Sequence, residues 1–377
     1  MIGQLLEEIA GIGRDPGTGG YNRFTYDEAD TQLREWFADT AGAKGLEVHA
    51  DRNGNLWAVR GPGPWIATGS HLDSVPNGGA FDGPLGIASA FAALDLMEPT
   101  VDVAVVAFAE EEGARFGVPC LGSRLLTGKV DAAQARQLVD HGGTTLAEAM
   151  ARAGHDPDQI GTDPDWLAGI SFFLELHIEQ GRGLVDLGAP LGLGESIWPH
   201  GRWRLEFPGQ ADHAGTTRME DRDDAVVRFA RTVLAVSDGL SGSSSRATFG
   251  RLQVEPNGTN AIPSRVIAWL DARAQDEGNL AKIIDSLPDG SSVANESFSP
   301  AVAFDTTLSD QVSALLGHPP PLPTAAGHDA GVLASHVPTG MIFVRNPTGV
   351  SHSPAEWADP DDCQAGVVAL AKVLSSL

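Results

Sequence analysis

Val101-Asp102-Val103-Ala104-Val105-Val106-Ala107-Phe108-Ala109 is a near-continuous apolar run that ends abruptly on Glu110-Glu111-Glu112-Gly113. A short run that is apolar on both faces marks a strand covered on both sides of its sheet. Working outward, residues 84–97 are rich in Ala and Leu and predict a helix. Residues 55–60 and 65–69 predict strands. Residues 27–44 set Leu33, Phe37 and Ala41 four apart, an amphipathic helix that Gly45 would stop. Strands alternating with helices predict an α/β sheet with helices on both faces.

The pattern changes after about residue 190. Residues 201–207 alternate as a half-exposed strand, 222–238 read as helix, 246–254 and 262–271 as strands, and 277–287 as helix. That order suits a small α+β unit with an antiparallel sheet. After about residue 303 the α/β character returns, with a strand at 340–344 and a closing helix at 361–376. The simplest organisation is a larger domain of residues 1–189 and 303–377 interrupted by an inserted domain of 190–302.

Composition excludes several classes. At 377 residues, two domains are the prior expectation, and 42% hydrophobic content supports a packed interior. The formal charge of -25 repels phosphate backbones, so a nucleic-acid partner is not expected. Two cysteines, Cys120 and Cys363, cannot build a thiolate cage, so any metal must sit on imidazole and carboxylate. The first residues lack a basic and apolar leader, and no apolar run reaches the ~18 residues that span a bilayer. The expectation is a cytoplasmic protein with no membrane partner.

Four stretches carry chemistry. Gly69-Ser70-His71-Leu72-Asp73-Ser74-Val75-Pro76, with Asp82 in a Gly-flanked turn beyond it, follows a buried strand, where α/β sheets place their sites. His71 and Asp82 there read either as cation ligands or as a surface imidazole and a helix cap. Glu110-Glu111-Glu112 repel one another unless a cation neutralises them; one suits a ligand and its neighbour a general base. In Leu174-Glu175-Leu176-His177-Ile178-Glu179-Gln180-Gly181, strand geometry puts Glu175, His177 and Glu179 on one face. Ser351-His352-Ser353-Pro354 is a further His in a loop after a strand. Together His71, His177, His352, Asp82 and Glu112 make a set that suits Zn²⁺ or Mn²⁺.

In this order the stretches resemble the M20 metallopeptidase and amidohydrolase family. Ala211-Asp212-His213-Ala214-Gly215-Thr216-Thr217, the run Pro256 to Arg265, and Ser351 to Glu356 narrow the resemblance. They are similar to the branch of N-carbamoyl-L-amino acid hydrolases, allantoate amidohydrolases and β-ureidopropionases, from about residue 20 to the C-terminus. The resemblance implies a catalytic domain with a mixed sheet between helices. It also implies an inserted α+β lid and dimerisation domain with a four-stranded antiparallel sheet and two helices, and a homodimer.

It further implies two divalent ions (Zn²⁺ or Mn²⁺, with Ni²⁺ or Co²⁺ as options), bridged by Asp82 and completed by His71, Glu112, His177 and His352. Glu111 would be the general base, worth ~10² to 10⁴ in rate. His213 would donate to the oxyanion, a contact worth about 3 to 4 kcal/mol. Asn260 and Arg273 would hold the substrate carboxylate, with Gln180 and His328 beside substrate or behind the ligands. From the residues alone, Arg273 reads rather as the ion-pair partner of Asp271. Arg218 stands where the family usually has Pro, which predicts an altered turn or an added charge near the subunit contact. The implied reaction cleaves a ureido C–N bond of a small carboxylic acid, allantoate or an N-carbamoyl-L-amino acid. The alternative is an aminoacylase or dipeptidase of the same superfamily. A non-enzymatic binding module would leave gaps in the ligand set, and there are none.

Overall fold

The computed structural model describes residues 2–377, which divide into two compact units. The first runs to Glu195 and adds Ala303–Leu322 and Gly327–Leu377; the second is Ser196–Val302 with Pro323–Ala326.

The first unit is built on a mixed sheet. Its strands lie in the order Glu47–Ala50, Leu56–Arg60, Val103–Phe108, Trp65–His71, Ile170–Ile178, Thr339–Val344, Leu191–Ile197. The four central neighbours, from Val103–Phe108 to Thr339–Val344, run parallel, and antiparallel strands flank them. All six residues of Val103–Phe108 are buried, as the apolar run requires. Helices Glu28–Ala43, Pro84–Leu94 and Pro360–Leu374 share one core with this sheet. Leu33, Phe37 and Ala41 have no exposed surface, so the predicted stripe is the buried face.

Leu191–Ile197 pairs with the large sheet, Leu193 opposite Ile342. The second unit therefore starts at 196, where a break at 190 was expected. Its four-stranded antiparallel sheet has the order Ser292–Ser299, His200–Pro208, Arg265–Arg273, Arg246–Glu255. Helices Ala225–Gly239 and Glu277–Asp285 belong to it. Trp203, Leu205 and Phe207 alternate into its core. The strand expected at 262–271 starts at Arg265, after Pro263, which has no N–H to give the ladder.

Two parts went unread in the sequence. Ser292–Ser299 is almost wholly exposed and carries little apolar signal. Four short helices between Leu121 and Ala168 are too brief to show a period; Phe116, Leu125, Leu146 and Met150 help to form a small core there. Among the described residues no helix is long and apolar enough to cross a membrane.

Candidate metal centre

The carboxyl ends of the four parallel strands deliver the candidate residues. Trp65–His71 ends on His71, Glu110 to Glu112 follow Val103–Phe108, His177 is the penultimate residue of Ile170–Ile178, and His352 lies on the loop after Thr339–Val344. Asp82 immediately precedes Gly83 and the buried helix Pro84–Leu94. Gly83 has φ 86°, and a Cβ there would stand 2.5 Å from the His71 ring. Only glycine lets that turn bring Asp82 against His71.

His71 and His177 are each 1% exposed. His71 Nδ1 lies 3.0 Å from the Asp73 carbonyl and His177 Nδ1 2.9 Å from the Ile178 carbonyl. A carbonyl only accepts, so each Nδ1 carries a proton and, in the neutral ring, each Nε2 keeps the lone pair. Both lone pairs face the same oxygen: Asp82 Oδ1 is 3.6 Å from His71 Nε2 and 3.3 Å from His177 Nε2. His177 Nε2 is buried without a hydrogen bond. The other Asp82 oxygen faces the other way, with Oδ2 3.4 Å from His352 Nε2, which in turn is 3.5 Å from Glu112 Oε1. Within each trio, His71–Asp82–His177 and Asp82–Glu112–His352, the ligand atoms lie within 4.8 Å of one another. An orphaned buried lone pair, and a carboxylate with one oxygen for each trio, fit a pair of adjacent cations.

Electrostatics agree with that fit. Burial opposes a charge on Asp82, yet the His177, His352 and His71 imidazoles hold its carboxyl well below the ordinary range. Burial also opposes a charge on His71, but Glu111, Asp73 and Asp82 outweigh it and hold the imidazole well above its usual value. Glu112 is pushed up to about 7, first by burial and then by Asp82. His352 is raised to about 9, chiefly by its contact with Asp82.

The acidic triplet divides its work. Glu110, at φ 55°, turns aside and its Oε1 accepts from the N–H groups of Arg115 (2.8 Å) and Phe116 (2.6 Å). Through that oxygen it clamps the loop. Glu111 and Glu112 are pinned by Asp73, whose two oxygens accept their N–H groups at 3.2 and 3.1 Å. The Cys120 thiol donates to Glu111 Oε1 at 3.2 Å, while Oε2 lies 3.8 Å from His71 Nε2. Burial above all, with Asp329, Glu112 and Asp73 adding to it, holds the Glu111 carboxyl well above the ordinary range.

Strand Ile170–Ile178 does not present three polar groups to one centre. Glu175 accepts from the Ser70 hydroxyl (2.9 Å) and Ala330 N–H (3.0 Å). Glu179, just past the strand, accepts from the N–H groups of Gly183 (2.5 Å) and Leu184 (2.9 Å). Only His177 faces Asp82. His328 is buried, its ring 4.6 Å from that of His177. Gln180, expected beside substrate, lies against the candidate ligands: its Nε2 donates to Asp82 Oδ2 at 2.9 Å.

His213, Asn260 and Arg273 lie in the second unit. His213 pairs with Ala261, and Ala214 N–H donates to the Asn260 carbonyl, which laces the two motifs together. His213 Nδ1 accepts from Gly215 and Thr216 N–H at 3.1 and 3.2 Å, which leaves Nε2 to carry the proton. The Arg273 fork holds Asp271 at 2.7 and 3.2 Å, the ion pair its neighbourhood suggested, and Nη1 donates to Ala325 O at 2.8 Å. Arg218 has φ -66°, a value proline also adopts, and its charge pairs with Asp221 at 2.9 Å.

Sequence reasoning missed Asp73, Ser351, Glu356 and Cys120. The first three stand inside the very motifs quoted above, one to four residues from a candidate ligand. Only their partners, far away in the chain, reveal them. The Ser351 hydroxyl is 2.9 Å from Asp82 Oδ2, and Glu356 Oε1 accepts from Asp82 N–H at 3.0 Å.

Comparison with known proteins follows the same line. The model of peptidase family M20/M25/M40 matches residues 67–376. The chain is 35% identical to an N-carbamoyl-L-amino acid amidohydrolase of Geobacillus stearothermophilus, covering 97% of this chain and 95% of that protein. It is 31% identical to an allantoate amidohydrolase of Escherichia coli K12, covering 100% and 97%. Among solved structures, an amidase of the hydantoinase/carbamoylase family from Burkholderia vietnamiensis superposes with a TM-score of 0.88 at 30% identity, covering 100% of this chain and 96% of that one.

Proposed function

We propose that this chain, which belongs to peptidase family M20/M25/M40, hydrolyses the ureido C–N bond of a small carboxylic acid at a two-metal centre and releases ammonia. It is a hydrolase of non-peptide C–N bonds, with allantoate or an N-carbamoyl-L-amino acid as substrate. The observation that carries the reading is Asp82, with one carboxylate oxygen turned to His71 and His177 and the other to His352. His71, His177 and Asp82 would hold one ion, and Asp82, Glu112 and His352 the second. Bound there, a cation pair supplies Lewis acidity and brings the pKa of water down from ~15.7 towards neutrality.

The chain's own residues do the rest. Glu111 is the base. Its Oε1 is engaged by Cys120, so Oε2 takes the proton and later delivers it to the leaving nitrogen. His213, with its proton on Nε2, serves as oxyanion donor. Asn260 and Arg273 hold the substrate carboxylate.

The test is a panel read by ammonia release from allantoate and N-carbamoyl amino acids and by amine release from acyl amino acids and dipeptides. Ureido substrates are expected to lead, and chelation to stop them. Faster turnover of acyl or dipeptide substrates would put the chain with aminoacylases or dipeptidases; chelator-insensitive ammonia release would remove the metal centre.

Arg273→Ala tests the clamp. Losing a charge-assisted pair worth about 1.5 to 3 kcal/mol should raise KM roughly 10- to 100-fold with kcat little changed. A normal KM would leave Arg273 as the partner of Asp271 alone.

A further inference from the structure

We propose that Glu356 is a positioning residue that governs the second cation site, the one assigned to Asp82, Glu112 and His352, and leaves the first largely alone. The inference rests on reading the cluster as a metal centre.

The two halves of the cluster are held in different ways. His71 and His177 are 1% exposed, lie in or at the end of central strands, and are each oriented by a carbonyl at Nδ1. Their positions come from the core. His352 has neither support. Its side chain is 48% exposed, no hydrogen bond to its Nδ1 is found among the described residues, and its backbone has φ 55°, a region non-glycine residues occupy only when their surroundings hold them there.

What holds this loop is Glu356, four residues on and 4% exposed. Its Oε1 accepts from the N–H groups of Phe81 (2.8 Å) and Asp82 (3.0 Å). Its Oε2 accepts from the Ser351 hydroxyl at 3.2 Å, and its own N–H donates to Ser353 O at 3.0 Å, closing the turn that directly follows His352. One carboxylate thus ties the backbone of Asp82 to the loop of His352 across 274 residues. The seat is tight: a Cβ on Gly79 would come within 2.2 Å of Glu356 Oε1. Asp82 keeps a second anchor, the start of the buried helix Pro84–Leu94. Among the described residues His352 has no such anchor in the core; apart from Glu356, its loop is tied to Asp82 only through the Ser351 hydroxyl at 2.9 Å, so loss of Glu356 falls first on the second site.

The experiment titrates the metal-free full-length chain with Co²⁺ alone, counting bound ions by native mass spectrometry and following the visible cobalt bands. Wild type is expected to take two ions. Glu356→Ala should keep one and bind the other roughly 10- to 100-fold more weakly, the usual cost of losing a group that orients ligands. Glu356→Gln retains an acceptor oxygen for the two N–H groups and should restore most of the affinity. Ser351→Ala, which removes the Oε2 contact together with the hydroxyl's 2.9 Å contact to Asp82 Oδ2, should weaken the same ion. Adding His177→Ala to Glu356→Ala should leave neither ion tightly held.

Two ions of wild-type affinity in both Glu356→Ala and Ser351→Ala would overturn the proposal. So would an equal loss of both ions in Ser351→Ala, whatever the folding of the Glu356→Ala chain. A wild-type chain that binds no cobalt overturns the metal-centre reading itself, and the proposal with it.

Discussion

Glu111→Gln is expected to keep its full complement of metal and lose turnover by about 10²- to 10⁴-fold, the range that a positioned proton-transfer group commands. Glutamine matches the shape of glutamate and keeps an acceptor for the Cys120 thiol. The backbone N–H that pins residue 111 to Asp73 is untouched. What the amide cannot do is accept a proton. The variant therefore separates chemistry from architecture. Paired measurements of bound metal and of kcat for ammonia release decide it. Turnover within tenfold of wild type would show that another group takes the proton. Loss of metal would show that Glu111 is itself a ligand, a role its 3.8 Å distance from His71 Nε2 makes geometrically accessible.

Asp82→Asn is expected to do more damage still, because it removes the group that the two proposed sites would share. The carboxylate offers Oδ1 to His71 and His177 and Oδ2 to His352. A carboxamide has one oxygen and one NH₂, and the NH₂ donates and cannot ligate a cation. Whichever way the amide turns, one trio loses its anion. Gln180 Nε2 and the Ser351 hydroxyl both approach Oδ2, which favours the orientation that keeps oxygen there and deprives His71 and His177. The expected result is at most one tightly held ion and activity below that of Glu111→Gln. The variant folds if its thermal transition stays cooperative. Two ions bound with wild-type affinity would sink the assignment of Asp82 as the bridge.

The candidate site was largely legible as a set of residues and hardly at all as an arrangement. His71, Glu111, Glu112, His177 and His352 could be nominated because each lies in or after an apolar strand, where a polar side chain needs a reason, and Asp82 because it fills a Gly-flanked turn before a helix. Glu110 and Glu179 satisfied the same criterion, yet both caught backbone N–H groups instead. Asp73 and Glu356 carried no such signal. Their partners are 38 and 274 residues away, a separation that leaves no periodicity behind. Arg273 shows the converse: the neighbouring Asp271 was read correctly from two positions away, and the pair formed.

By itself, then, the amino-acid order determined where the chain is buried and what chemistry it carries. The run from Val103 to Phe108 can be satisfied only inside a covered sheet, and the alternation of Trp203, Leu205 and Phe207 only on a one-sided one, because burial of apolar surface follows local period. Tertiary structure alone decided which lone pair faces which oxygen, which of three adjacent glutamates turns away, and which carboxylate ties two distant loops. Those outcomes depend on directions in space fixed by the packing of parallel strands and by one glycine at position 83. Hydrogen bonds select partners by geometry, whatever their separation along the chain.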